Sequence, residues 1–203
     1  MTTNAFVYIV DDSADVRDSL QWLLQSVDLE SRTYPSAHAF FENCPSNAAG
    51  CIVMDLRMPG LSGLGALKKL SDYGITMPLI MISAHGSIET AVQALQQGAV
   101  TFLEKPFDDQ KLLDYIYAAL EQDKQNRIEY QETLLIKQKY QSLTKREKQV
   151  FFHIAQGLSN QETADVLGVN RKTVEGHRAN LIQKLELESL AQLVQLAIRL
   201  QII

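Results

Sequence analysis

The sequence predicts an α/β domain built on a five-stranded parallel sheet, then a helical linker, then an all-α bundle of four short helices. Three observations predict this. Short apolar runs alternate with helical patterns through residues 1–121, as β-α units do. From Asp108 onward strand signals stop, and residues 122–141 are rich in Gln, Glu and Lys. Residues 142–203 then carry three S/T-x-x-E/Q helix starts: Thr144…Glu147, Ser159…Glu162 and Ser189…Gln192.

The strands are read at Phe6–Val10, Glu30–Thr33, Cys51–Met54, Leu79–Ile82 and Thr101–Leu103. The helices fall near 14–26, 36–43, 63–72, 87–97 and 109–120. Five β-α units imply a parallel sheet with helices on both faces. Gly60, Gly63, Gly74, Gly86 and Gly98 punctuate the connections. Leu112, Leu113, Ile116 and Leu120 make an apolar stripe at helical spacing. Beyond them the stripe thins to Ile128, Leu134 and Leu135, which leaves a long helix or a loose connector as the two readings of the linker. In the last domain a fourth helix starts near Asn170. Its core positions are Phe151, Ile154, Leu158, Ala164, Leu167, Val169, Val174, Leu181, Leu185, Leu193 and Ala197.

Composition narrows the class. The chain has 203 residues, 46% hydrophobic and 21% charged, the balance of an ordinary water-soluble protein. No apolar run reaches the ~18 residues of a membrane span. The start, Met1-Thr2-Thr3-Asn4, lacks the basic residues of a secretory leader. Cys44 and Cys51 form no metal-ligand or CxxC pattern and are read as packed thiols. These features point to a cytoplasmic protein without membrane contact. Charge is uneven. Residues 1–122 hold 15 acids against 7 Lys+Arg, a net of −8, whereas residues 123–203 hold 9 against 12, a net of +3. The halves are expected to meet different partners, and the basic one can approach nucleic acid.

Polar residues gather where the strands end. Asp11 and Asp12 follow the first strand, Asp55 the third, Ser83 the fourth and Lys105 the fifth. Open α/β sheets bind ligands at this carboxyl edge. Taken alone, Asp12-Ser13 reads as a helix cap, and Ser83 as the start of a turn. Taken together, three carboxylates, a hydroxyl and an ammonium suit a divalent metal and a phosphoryl group. Mg²⁺ prefers oxygen ligands, a carboxylate can act as nucleophile to form an acyl phosphate, and Lys105 offers a charge to the product.

This region resembles the receiver domain of two-component response regulators. The resemblance rests on Asp11-Asp12, Asp55-Leu56-Arg57-Met58-Pro59-Gly60, Ile82-Ser83-Ala84 and Gly98-Ala99…Phe102-Leu103-Glu104-Lys105-Pro106-Phe107. It implies a flavodoxin-like, doubly wound fold. It implies that a sensor histidine kinase phosphorylates Asp55, and that Mg²⁺ is held by Asp11, Asp12, Asp55 and the main-chain carbonyl of Arg57. Ser83 and Lys105 then sense the phosphate, Phe102 is the aromatic switch, and the peptide before Pro106 is cis. The family more often has Thr and Tyr where this chain has Ser83 and Phe102. His85 is read as an exposed loop residue.

In the second domain Ser159–Leu167, Gly168 and a helix from Asn170 read as two helices joined by a tight turn. Gly168 suits the left-handed end of the first helix. The second helix turns Val174, Leu181 and Leu185 inward and exposes Arg171, Lys172, Thr173, Glu175, Arg178 and Ala179. Such a helix fits a major groove, although helix-turn-helix spacing alone also suits a protein-interaction module. The residues Leu143-Thr144-x-Arg146-Glu147, Gly157-Leu158-Ser159-Asn160-Gln161-Glu162, Leu167-Gly168-Val169, Thr173-Val174-Glu175-x-His177-Arg178 and Lys184-Leu185 resemble the LuxR-type DNA-binding domain. With the receiver, the whole chain is similar to the NarL/FixJ family.

That resemblance implies that Lys172, Glu175, Gly176 and Ala179 face bases, and that Asn160, Thr173, His177 and Arg178 lie near phosphates. His177 is read equally as a packing residue. The implied function is phosphorylation-controlled transcription. Its partners are the kinase, double-stranded promoter DNA and a second copy of the chain on phosphorylation, with RNA polymerase left open as a further one. Two other classes stay in view. A phosphohydrolase using an Asp nucleophile often needs a second acid two residues on, and Arg57 stands there. An adaptor would use the bundle to bind protein rather than DNA. Nucleotide enzymes are disfavoured, since neither GxGxxG nor GxxxxGK[ST] occurs.

Overall fold

The computed structural model describes residues 5–45 and 47–203. The Met1–Asn4 stretch, on which the reading of an absent leader rests, lies outside them. The chain divides into two units, Met1–Arg127 and Ile128–Ile203.

In the first unit, β1 (Phe6–Val10), β2 (Ser31–Tyr34), β3 (Gly50–Asp55), β4 (Leu79–Ser83) and β5 (Thr101–Glu104) form one sheet in the order β2-β1-β3-β4-β5. All neighbours pair in parallel. The helices are α1 (Ala14–Gln25), α2 (Ala37–Asn43), α3 (Gly63–Lys69), α4 (Ile88–Gln96) and α5 (Asp109–Gln141). Alternate strand residues feed two cores. Val7, Ile9, Cys51, Val53, Ile80 and Ile82 pack with Leu20 and Leu24 of α1 and Leu112 and Ile116 of α5. Tyr8, Val10, Ile52, Met54, Leu79 and Met81 pack with Phe40, Leu67 and Ala94 of α2, α3 and α4. Both faces are therefore covered, which is why β3 is buried along its whole length and reads as an unbroken apolar run.

Several boundaries depart from the sequence reading. β2 runs Ser31–Tyr34 rather than Glu30–Thr33. It is an edge strand, and its buried anchor is Tyr34, whose ring stacks on Tyr8 at 6.4 Å. α3 ends at Lys69 rather than near 72, because Ser71–Tyr73 tightens into a 3₁₀ turn. Asp55, Ser83 and Glu104 are the last residues of their strands rather than the residues beyond them.

The helix α5 continues through the segment read as the linker. Asp123 is buried, and its Oδ2 accepts from Gly50 N at 2.9 Å and from Arg127 Nε at 2.8 Å. Arg127 also donates to the carbonyl of Ala48. These bonds attach α5 to the start of β3. The Cys51 thiol, buried beside Asp123, is pushed up to about 12 by desolvation and by that carboxylate, so it is an inert packing group.

The second unit holds α6 (Lys145–Ala155), α7 (Asn160–Leu167), α8 (Arg171–Leu185) and α9 (Leu190–Arg199). Phe151, Ile154, Ala164, Val174, Leu181, Leu185, Leu193 and Ala197 are buried in one core, and Ile136 and Tyr140 of α5 pack against it. Leu158 is only half-buried. Thr144 and Ser159 make complete capping boxes with Glu147 and Glu162. The third box is half-formed. Ser189 Oγ accepts from Gln192 N, but Gln192 Oε1 reaches past Ser189 to accept from Glu188 N at 2.7 Å. Among the described residues no helix is long and apolar enough to cross a membrane.

Candidate functional site

The sheet order places the first site. From β1 the chain goes first to β2 on one side and then to β3 on the other, so a crevice opens between β1 and β3 at their carboxyl ends. Register aligns the groups there. Val10 is level with Met54, Asp55 with Ile82, and Ser83 with Glu104. Asp11, Asp55, Ser83 and Lys105 therefore meet at one edge, lining a cavity of about 290 Å3 together with Asp12 and Arg57.

Lys105 organises the cavity. Its Nζ lies 2.7 Å from Asp11 Oδ2 and 2.8 Å from Asp55 Oδ1. Asp11, Asp55 and Ser83 are buried, at 1%, 7% and 1% exposure. Asp11 Oδ1 also accepts from Ser13 N at 2.9 Å, and Asp55 Oδ2 from Arg57 N at 2.7 Å. Each carboxylate thus has one oxygen on the ammonium and one on a backbone amide. Burial works to lower the Lys105 pKa, but its bonds to Asp11 and Asp55 outweigh that and raise it. Arg17 Nη1 donates to the Asp11 carbonyl at 2.7 Å, tying α1 to the same loop.

Asp12 is exposed and caps nothing. The residue at the start of α1 is Ser13, whose side chain makes no capping bond. The helix-cap reading of Asp12-Ser13 is therefore corrected: the amide of Ser13 is taken by Asp11, outside the helix. Ser83 Oγ accepts from His85 N at 3.1 Å. The side chain of Phe102 is half-buried, and His85 and Arg57 are exposed. The Lys105–Pro106 peptide is cis.

The donor set around Asp55 is all oxygen, which fits a hard divalent cation such as Mg²⁺. Among the described residues no three acids, histidines or cysteines stand close enough together to hold a metal. The Lys105 ammonium spans the two buried carboxylates, and Asp12 is exposed.

The second site is on α7 and α8. Gly168 ends α7 in the left-handed region, with φ 65° and ψ 38°. Asn170 caps α8, its Oδ1 accepting from Thr173 N at 2.7 Å and from Thr173 Oγ1 at 2.9 Å. Val174, Leu181 and Leu185 are buried. Lys172, Glu175, Gly176 and Ala179 are exposed at i, i+3, i+4 and i+7, so they share a solvent face. Arg171 Nε holds Glu175 Oε1 at 2.8 Å, and Arg178 Nη1 donates to Asn160 Oδ1 at 3.0 Å. His177 and Arg178 are half-buried.

Sequence reasoning missed one anchor of this site. From the sequence Glu147 reads as part of a capping box and of the LuxR-type motif, not as a partner of α8. Its carboxylate is buried and also receives Lys184 of α8 at 2.8 Å, fixing α8 to α6. The motif Arg146-Glu147…Lys184-Leu185 contained both partners, but nothing in it pairs residues so far apart.

Comparison with known proteins agrees with this geometry. The response regulator receiver domain model matches residues 7–117, and the model for bacterial regulatory proteins of the luxR family matches residues 141–197. The chain belongs to the NarL/FixJ-type response regulators. It is 41% identical over 198 residues to the transcriptional regulatory protein TdiR of Thauera aromatica, covering 95% of this chain and 85% of TdiR. It is 38% identical over 199 residues to the transcriptional regulatory protein FixJ of Bradyrhizobium diazoefficiens, covering 98% and 97%. The solved structure of the response regulator StyR matches with TM-score 0.81 and 39% identity, covering 96% of this chain and 98% of that one. The fold class read from the sequence is thereby shown, as is a response regulator with a LuxR-type DNA-binding domain. The family is one of transcription regulators.

Proposed function

We propose that a sensor histidine kinase phosphorylates Asp55, and that this controls dimerisation and sequence-specific DNA binding. The observation that supports this most is the buried Asp55 carboxylate, held 2.8 Å from Lys105 at the crevice of the sheet. An Asp55 oxygen attacks phosphorus, the phosphorus–nitrogen bond of the donor breaks, and the imidazole leaves. Asp11 and Asp55 would repel an incoming phosphoryl group without a counter-charge. Asp11, Asp12, Asp55 and the Arg57 carbonyl would hold Mg²⁺, which supplies that charge and steadies the equatorial oxygens. Lys105 then moves from pairing two carboxylates to pairing the phosphate. Ser83 gives up the His85 amide to donate to the same phosphate, and Phe102 turns with it.

Residues 1–121 serve as the receiver, 122–141 as the helical linker, and 142–203 as the DNA-binding domain. In the latter, Lys172, Glu175, Gly176 and Ala179 face bases in the major groove, while Asn160, Thr173, His177 and Arg178 lie along phosphates. Thr173 and Arg178 are oriented for this by Asn170 and Asn160. Two copies on a two-fold operator bind through effective concentration as well as contact. The protein acts in the cytoplasm without membrane contact, is not an enzyme, and meets RNA polymerase as a further partner.

The test is a selection of genomic fragments by gel shift, with and without acetyl phosphate and Mg²⁺. Tight, fragment-selective binding only with the donor supports the proposal. Equal binding in both conditions refutes control by phosphorylation, and no selective binding in either refutes the DNA reading.

A further inference from the structure

The inference rests on the reading of Ser83 and Phe102 as the side chains that respond to phosphate on Asp55. The short connection between β4 and α4 touches both. Its His85 amide donates to Ser83 Oγ at 3.1 Å. One residue on, Gly86 leaves room for the ring of Phe102. A Cβ at position 86 would stand 2.5 Å from Cε1 and 2.7 Å from Cζ of Phe102, closer than side chains pack. The next nearest atom to such a Cβ is also in that ring, Cδ1 at 3.8 Å. Gly86 is not among the glycines with positive φ, unlike Gly60, Gly74 and Gly98, where a Cβ would meet nothing. At Gly86 it is therefore the approach of the Phe102 ring, and no backbone requirement, that excludes a side chain. Phe102 itself is half-buried and level with Met81 in the sheet.

We infer that Gly86 is a positioning residue for the switch: its missing side chain is the seat that holds Phe102 in its present orientation. The adjacent His85 amide holds Ser83, so one dipeptide latches both side chains in the unphosphorylated arrangement. When Ser83 turns toward a phosphate, its bond to this connection breaks and the seat loosens. A ring is the movable end of its side chain, so filling the seat displaces Phe102 rather than the sheet. Removing the seat disfavours the latched state and shifts the population toward the other before any phosphate arrives.

The experiment uses the full chain, acetyl phosphate with Mg²⁺, and a genomic DNA fragment selected by the phosphorylated protein. Gly86→Ala is expected to lower the donor concentration for half-maximal DNA binding about 3- to 10-fold, the range set by the strain of a displaced rotamer. In a Phe102→Ala background the same substitution is expected to shift nothing, because the clash is gone. Gly86→Ala that matches the parent, that needs more donor, or that shifts equally with Ala at 102 overturns the inference. Should thermal melting show that Gly86→Ala does not fold, Phe102→Leu withdraws the ring from the same seat. It must also lower the donor requirement, and an unchanged or raised one overturns the latch. A parent whose DNA affinity ignores the donor overturns the underlying reading and this inference with it. A responsive parent beside an unshifted variant overturns the inference alone.

Discussion

Lys184 of α8 places its ammonium 2.8 Å and 2.9 Å from the two carboxylate oxygens of Glu147, a residue only 3% exposed and lying on a different helix. Oε2 of the same carboxylate accepts from Thr144 N at 2.8 Å. One acid thus starts α6 and fixes α8, so the pair sets how the exposed face of α8 is presented. Lys184→Met leaves a buried carboxylate short of a partner. It is expected to cost about 2 kcal/mol, since the ammonium is partly exposed and its pairing screened. Thermal melting of the full chain checks this, with the transition of the second unit moving down by several degrees.

The same carboxylate predicts acid sensitivity. Burial works to raise the Glu147 pKa, but bonds from Lys184 and Thr144 outweigh it and hold it below the ordinary 4.5. A group with a depressed folded pKa contributes stability that is present above 4.5 and lost as pH falls through the folded value. Urea melts across the acid range should show the second unit weakening there in the parent, and much less so in Glu147→Gln.

Lys105 is predicted to hold the two buried carboxylates side by side. Lys105→Met leaves Asp11 and Asp55 facing each other without a cation, which should cost about 1–3 kcal/mol near neutral pH. In the parent, the raised Lys105 pKa gives stability present below 10.5 and lost as pH rises through the folded value. Denaturant midpoints of parent and variant, measured at neutral and alkaline pH, check both. A variant as stable as the parent near neutral pH would contradict the pairing.

On α8, Lys172 stands on the exposed face and makes no ion pair among the described residues. Lys172→Ala is expected to weaken DNA binding in a salt-sensitive way, because it takes one cation from the face that meets the DNA polyanion. Asn160→Ala is expected to act differently, because Asn160 orients Arg178. It should weaken binding without removing a charge, leaving the salt slope near that of the parent. Affinity titrations over a salt series separate the two.

These residues also show what the chain's own order makes legible. Cys51–Met54 was readable as a strand because both faces of β3 are covered, so its apolar run is unbroken. Edge strand β2 was displaced by one residue, since only Tyr34 of its four residues is buried and alternation gives little signal. Asp11, Asp55, Ser83 and Lys105 were legible as one site because parallel strands place their carboxyl ends on one edge. That Lys105 would bridge two acids while a third stays exposed depended on side-chain geometry that spacing does not encode. Glu147 with Lys184, Asp123 with Gly50, and Gly86 against Phe102 are approaches between separate elements. Each is settled only when those elements pack.

Phosphoryl uptake tests the central claim most directly. Intact mass spectrometry of the folded chain, incubated with acetyl phosphate and Mg²⁺, should show one added phosphoryl group in the parent and none in Asp55→Asn. A parent that stays unmodified by small donors and kinases alike, or an Asp55→Asn variant that gains the group at the parental rate, would contradict it.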